Sequence, residues 1–419
     1  MTKENRFQDI YEELELQEGS IFRGIDTDEW AIYAQYLNSV LRANSIDKQE
    51  LEQATEKYNE IEKYLNNSFS RYNFSFYPQG SLAHQTTVRN GSSNRFDLDL
   101  ICRLNQSTVT PAPLELLQTI YEQLSKDDQY KVGIELKNRC VKLPLPGASF
   151  TIDITPGQSI NVPSPERVQE TDPLVVGDQR LGSKPSNPKG FTSWLNEKAA
   201  LTPPQVLLLR EQLQMKAADS AEPIPDQEVA LADVLRRTIQ LLKLHRDTYY
   251  RKQQNQQRKD YKPISILLST LATRSYVDRY NQANLTPIEL MLDVIDNLHQ
   301  YIDRDHEGYH VYNPTIQGED FADKWNDATK GRARATEFFR WHTQVGKDLT
   351  DLLTSKDPTV LRDAAQRAFG NQGTELVSGL IASLGLVSKD TFGGNQLLGK
   401  LNPSDPQVTH NAPRNTNHA

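Results

Sequence analysis

Apolar residues recur at three- and four-residue spacing over residues 47–66, where Leu51, Ala54, Tyr58, Ile61 and Leu65 share one face. That spacing predicts a long amphipathic helix. Asp47, with Glu50 three residues later, reads as a capping box at its start. From 74 to 155 the pattern changes to short β-prone runs at 96–103, 131–136, 140–145 and 150–155, and Pro146-Gly147 supplies a turn between the last two. A helix followed by mixed strands predicts an α+β domain that closes near residue 160. Residues 156–226 are rich in Pro, Gly, Ser and Asp, interrupted by one predicted helix at roughly 203–217. Beyond 227 the pattern is helical, at 227–250, 263–275, 286–304, 320–353 and 357–370. The clearest of these begins with Thr286 as cap, Pro287 in the first turn and Glu289 completing the box. Its apolar stripe is Met291, Val294, Ile295, Leu298 and Ile302. The expected division is a core at 1–165, a connecting segment at 166–226, an all-α domain at 227–385 and a flexible tail at 386–419.

Composition narrows the picture. The 419 residues include 55 acidic and 47 basic side chains, a net charge of −8, which argues against general affinity for nucleic-acid backbone. The basic stretch 249–262, YYRKQQNQQRKDYK, therefore reads as a solvated helix end and loop. No apolar run reaches 18 residues and the first 20 residues contain no apolar signal region, so the expectation is a cytoplasmic protein without a membrane span. Two cysteines, Cys102 and Cys140, make neither a disulfide framework nor a zinc site by themselves and are expected to be reduced core residues.

The chemistry concentrates in FYPQGSLAHQTTVRNGSSNRFDLDLICRL. On a strand Asp97 and Asp99 project from one face while Leu98 and Leu100 enter the core. Two carboxylates in one small site repel, and a divalent cation resolves the conflict. Asp153, between Ile152 and Ile154, faces away from the core on its own strand. Three such aspartates can hold two magnesium ions, with manganese as a substitute, one activating a hydroxyl and one stabilising a leaving pyrophosphate. Gly80-Ser81 lies 16 residues before Asp97 and reads as a triphosphate cradle. The glycine admits close backbone approach, the serine donates a hydrogen bond, and a short helix in LAHQTTV would add its N-terminal amides. Residues 90–94, NGSSN, are expected to form a mobile loop. In LRRTIQLLKLHRD, Arg236 and Lys243 fall on a strip beside the apolar face with Arg246 next to them, either a solvated basic flank or a clamp on triphosphate.

Gly-Ser, then Asp-x-Asp on a strand, then a third Asp on a later strand resembles the polymerase β-like nucleotidyltransferases. More narrowly, the chain resembles the bacterial CD-NTases, relatives of cyclic GMP-AMP synthase and oligoadenylate synthase. Supporting stretches are NRCVKL, LRRTIQLLKLHRD, KPISILLSTL and NPTIQGEDFADKW, which span roughly residues 45–330. The resemblance implies a nucleotidyltransferase core with a mixed sheet and long N-terminal helix, a C-terminal all-α cap, and nucleotides between them. It further implies that Gln79 and Ser81 contact donor phosphates, that Asp97, Asp99 and Asp153 bind magnesium, that Lys243 reaches the triphosphate and that Ser265 touches the nucleotide. Glu319 and Asp320 are candidate contacts, and His245 is left without a role.

The activity so implied is a cyclic di- or trinucleotide synthase in anti-phage (CBASS) signalling. It would join nucleoside triphosphates, ATP among them, and feed a downstream cyclic-nucleotide effector. No nucleic-acid activator is expected, since the chain has neither a Cys/His cluster nor a basic balance. Rival readings are a linear transferase acting on RNA, protein or a small molecule, and a silent nucleotide-binding module. Residues 402–419 also suggest an accessible tail open to conjugation by a regulatory protein, the bland alternative being a plain disordered end.

Overall fold

The computed structural model describes residues 29–89, 95–107, 110–206, 233–282 and 285–386. The expected loop at 90–94, the predicted helix 203–217 beyond Val206, the first residues of the helix expected at 227–250 and the tail from 387 onward lie outside the described residues.

Two helices open the described chain, α1 (Trp30–Ala43) and α2 (Lys48–Ser68). The reciprocal Asp47/Glu50 capping box starts α2 where the spacing places it. Next come β1 (Tyr72–Pro78), the single turn α3 (Gly80–Ala83), β2 (Phe96–Ser107) and α4 (Pro113–Ser125). Then follow β3 (Glu135–Leu136), β4 (Val141–Leu143), β5 (Phe150–Ser159), β6 (Leu174–Asp178), β7 (Gly182–Ser186) and α5 (Pro188–Ala199). The sheet order is β1-β2-β5-β4-β3, with β6 pairing β5 and β7 pairing β6. Among the described strands of this sheet, only β2 and β5 pair in parallel.

Alternation along β2 and β5 sends Leu98, Leu100, Ile152 and Ile154 into a core shared with Ile61 and Leu65 of α2 and Leu116 and Ile120 of α4. One face of the sheet is thus sealed by two helices, which leaves the opposite face to carry the aspartates.

The second core is helical. It is built by α1, α5, α6 (Val234–Arg251), α7 (Ser265–Arg279), α8 (Pro287–Asp296), α9 (Gly331–Thr354) and α10 (Pro358–Ser383). A small hairpin, β8 (Asp303–Arg304) with β9 (Tyr309–His310), decorates it. The mixed sheet with a helical C-terminal region agrees with the α+β expectation.

Several details differ from the sequence reading. The boundary near 160–165 cuts through the sheet, because β6 and β7 extend it and α5 joins the helical core. Likewise α1 belongs to that helical core, its Tyr36 hydroxyl donating to the Gly373 carbonyl at 3.1 Å. The run expected as a strand over 131–136 is strand only at its last two residues. Helix 286–304 ends at Asp296 and passes into a 3₁₀ turn at Leu298–Tyr301. The helix expected from 320 begins only at Gly331. The last helix continues past 370 through a kink at Gly370, whose φ of 68° needs glycine.

Leu98 is fully buried between the two aspartates of β2. Leu98→Ala should cost about 2–5 kcal/mol of stability, read as a lowered urea midpoint.

Candidate active site

The parallel pairing of β2 and β5 sets Asp99 opposite Asp153 in register, and Asp97 follows on the same face two residues away. Three carboxylates therefore converge on the uncovered side of the sheet. Asp97 accepts a hydrogen bond from the Thr151 hydroxyl at 2.6 Å. Burial, reinforced by the charges of Asp153 and Asp97, pushes the Asp99 carboxyl up to about 7. Burial likewise raises Asp153, and its Oδ1 is buried without a hydrogen-bond partner.

Lys142 supplies the positive charge nearest this group. It lies on β4 opposite Asp153, with Nζ 3.4 Å from Asp97 Oδ1 and 3.9 Å from Asp153 Oδ1. Burial would lower its ammonium, yet Asp153 and Asp97 outweigh that and raise it. Sequence reading overlooked Lys142, although it stands between the buried Val141 and Leu143 on the same alternation that exposed the aspartates.

Gly80 joins the cradle to the aspartates. Its φ of +60° is left-handed, and an added Cβ would meet Asp99 Oδ2 at 2.4 Å, so both backbone and space demand glycine. The Gln79 amide donates to the Asp99 carbonyl at 2.8 Å, tying β1 and α3 to β2 at this point. Helix α3 is only four residues long, shorter than the helix expected from LAHQTTV, and it starts at Gly80.

From the helical side, α6 brings Lys243 and Arg246. Of the two readings of this strip, the solvated flank does not hold, because both side chains are buried. Lys243 Nζ donates to the Thr86 carbonyl at 3.0 Å and hydroxyl at 2.8 Å. Burial and the nearby Arg246 push it down to about 7. Arg246 donates to the Pro263 carbonyl and the Ser265 hydroxyl, at 3.1 and 2.9 Å, so it braces the segment that opens α7. His84 is buried, and its imidazole is pushed down to about 3 by that burial and by Lys243 and Arg236.

Asp97, Asp99, Asp153, Gly80, Ser81, Lys243 and Ser265 all line one cavity of about 700 Å³. Gln79 lines a neighbouring one of about 300 Å³, with Glu319 and Asn313 from the helical side. The two share Gly80, His84, Asp99, Arg139, Cys140 and Ile266 as a common wall. Such volumes suit small-molecule ligands. Cys140 is thus a cavity residue, whereas Cys102 is the core residue expected. Asp320 turns away, accepting from the Val311 and Ala322 amides and facing His310 within its own hairpin region. His245 is enclosed by Asp348 and Trp341 in the helical core.

The donor set fits a hard divalent cation: all oxygen, mutually repelling, with one buried oxygen lacking a hydrogen bond. Among the described residues no three acidic, His or Cys side chains already close around a metal position, so binding would draw the carboxylates inward.

Residues 32–199 match the family described as SMODS, the Second Messenger Oligonucleotide or Dinucleotide Synthetase domain. A c-di-GMP synthase of Roseivirga ehrenbergii is 26% identical over 296 residues, covering 70% of this chain and 72% of the relative. Both matches are to second-messenger nucleotide synthases. In fold the chain is similar to the CD-NTase CdnG of Bradyrhizobium diazoefficiens, solved with GTP, at 19% identity and a TM-score of 0.57 over 84% of this chain and 97% of that one. It is also similar to CdnC of E. coli, solved in a complex with HORMA-deltaN, at 12% identity and a TM-score of 0.53 over 81% and 97% of the two chains. This chain accordingly shares the fold of these structures. Among its described residues no helix is long and apolar enough to cross a membrane.

Gly80→Ala should displace Asp99 or the cradle and abolish turnover, checked by nucleotide product formation alongside the circular dichroism spectrum. A second expectation concerns Lys243. Its folded pKa of about 7 lies below the ordinary 10.5, so the unfolded chain binds more protons between those values. Stability relative to Lys243→Met should therefore rise as pH increases from 7 towards 10.5, read from urea midpoints across that window.

Proposed function

We propose that this protein is a bacterial CD-NTase, a nucleotidyltransferase that joins nucleoside triphosphates into a cyclic oligonucleotide and releases pyrophosphate at each bond. The observation that carries this reading is the in-register Asp99/Asp153 pair with Asp97, all three lining one cavity while Asp99 also stands in the wall shared with a second. One cavity would receive the donor triphosphate and the other the acceptor, with Asp99 at their junction.

Asp97, Asp99 and Asp153 would hold two magnesium ions, with manganese as a substitute. When bound, these ions lower the pKa of an attacking hydroxyl and neutralise the leaving pyrophosphate. Asp153, whose buried Oδ1 has no hydrogen bond, would orient the acceptor side. Gly80 would let the backbone approach the donor phosphates, with Ser81 and Gln79 donating hydrogen bonds. Lys243 would turn from Thr86 to the triphosphate, where a neighbouring anion restores its charge. Ser265, held by Arg246, would position the nucleotide from the cap.

The product would serve anti-phage (CBASS) signalling in the cytoplasm through a cyclic-nucleotide effector. The name of the Roseivirga relative makes GTP, together with ATP, the first substrate to test. The excess of acidic residues supports activity without DNA or RNA. The proposed conjugation site falls in the tail, outside the described residues.

The test is to incubate purified protein with labelled ATP, GTP, CTP and UTP plus magnesium, treat with phosphatase and identify resistant species by mass spectrometry. A resistant cyclic product is expected, absent from the Asp97→Ala, Asp99→Ala double variant. A phosphatase-sensitive oligomer would point to the linear transferase, and unchanged product from the double variant would overturn the mechanism.

A further inference from the structure

We propose that Lys142 is a built-in counterion of the aspartate site that must be displaced when metal binds, and that it thereby couples metal loading to triphosphate binding. The inference rests on the assignment of Asp97, Asp99 and Asp153 as metal ligands.

Lys142 projects from β4 towards both outer aspartates, 3.4 Å from Asp97 Oδ1 and 3.9 Å from Asp153 Oδ1, and it lines the same cavity. The same two oxygens are poorly supplied otherwise. Asp97 Oδ1 has the Thr151 hydroxyl, and Asp153 Oδ1 has no hydrogen bond at all. A single ammonium thus bridges two carboxylates that would otherwise only repel each other.

A divalent ion entering this space meets both the carboxylates that attract it and the ammonium that repels it. Free metal therefore binds against a resident charge. A triphosphate changes the balance, because it offers Lys142 another anionic partner within the cavity. The lysine side chain carries a compact charge on a flexible stem and can follow the phosphate without moving β4, whose flanking Val141 and Leu143 are locked in the core. Nucleotide then tightens metal binding, and by linkage metal tightens nucleotide binding to the same degree.

The test measures Mn²⁺ binding to the full chain by electron paramagnetic resonance, without nucleotide and with a non-hydrolysable GTP analogue. The proteins compared are wild type, Lys142→Met and Lys142→Arg, with the Asp97→Ala, Asp99→Ala variant as the baseline. Lys142→Met should bind Mn²⁺ roughly tenfold more tightly than wild type without nucleotide, and the tightening caused by the analogue should shrink by a similar factor. Lys142→Arg, which keeps the charge, should stay near wild type and shows that the site still folds. Equal or weaker Mn²⁺ binding by Lys142→Met would overturn the proposal while leaving the metal assignment in place. Absence of Mn²⁺ binding above the baseline in wild type and Lys142→Met alike would overturn both. Tighter binding in Lys142→Met together with no cyclic product from wild type would uphold the proposal and sink the functional reading instead.

Discussion

Three like charges held on one face of a parallel strand pair are the constraint around which the rest is arranged. The register that places Asp99 beside Asp153 is fixed from the other side of the sheet, where Leu98, Leu100, Ile152 and Ile154 pack on α2 and α4. A one-residue slip of either strand would bury an aspartate and expose a core side chain. Hydrophobic packing therefore enforces an electrostatic conflict that the carboxylates would not adopt by themselves. Burial first, and the charges of Asp153 and Asp97 after it, push the Asp99 carboxyl up to about 7.

The surroundings answer that conflict from three directions. Gly80 approaches Asp99 so closely that no side chain fits between them, and backbone hydrogen bonding from Gln79 keeps the approach fixed. Lys142 adds charge from β4. From the helical side, α6 presents Lys243 and Arg246, and α6 is itself anchored through buried His245, which meets Asp348 of α9 and the Trp341 indole. Arg367 of α10 closes the chain by pairing with Asp348 at 2.6 Å. Polar groups deep in the helical core thus set where the cationic face of α6 stands relative to the aspartates.

How much of this is legible in the sequence follows from what each signal depends on. Alternation in DLDL and TIDIT shows which side chains share a face, so the three aspartates are readable from the amino-acid order alone. Helix α2 and the start of α8 carry their own caps, Asp47/Glu50 and Thr286/Glu289, and they begin where the sequence places them. Lys142 obeys the same alternation, but a lone lysine on a short strand has no local signal of its partner, which lies across the sheet. The strands β6 and β7 sit in a segment whose Pro and Gly content reads as linker, and their pairing with β5 supplies what composition could not. Helix α1 joins the helical core through contacts with α10, some 330 residues away, a distance no local pattern reports. The cations of α6 leave a solvated flank and a phosphate clamp both open, because helical spacing alone does not reveal that a cavity faces the strip.

A shared wall has a mechanistic consequence on the proposed reading. Cyclisation requires at least two phosphodiester bonds, yet the aspartates form a single group, with Asp99 at the junction of the two cavities. The second bond must therefore be made by the same carboxylates as the first. That demands that the linear intermediate exchange its ends, so that the triphosphate at one end comes to lie where the donor lay and the free hydroxyl at the other takes the acceptor place. A site that held either end too firmly would stall between bonds. Contacts that are strong only while a triphosphate is present suit this cycle better than permanent ones. Lys243 parked on Thr86 and Lys142 parked on Asp97 have that character, since each has a neutral or anionic protein partner to return to when the pyrophosphate leaves.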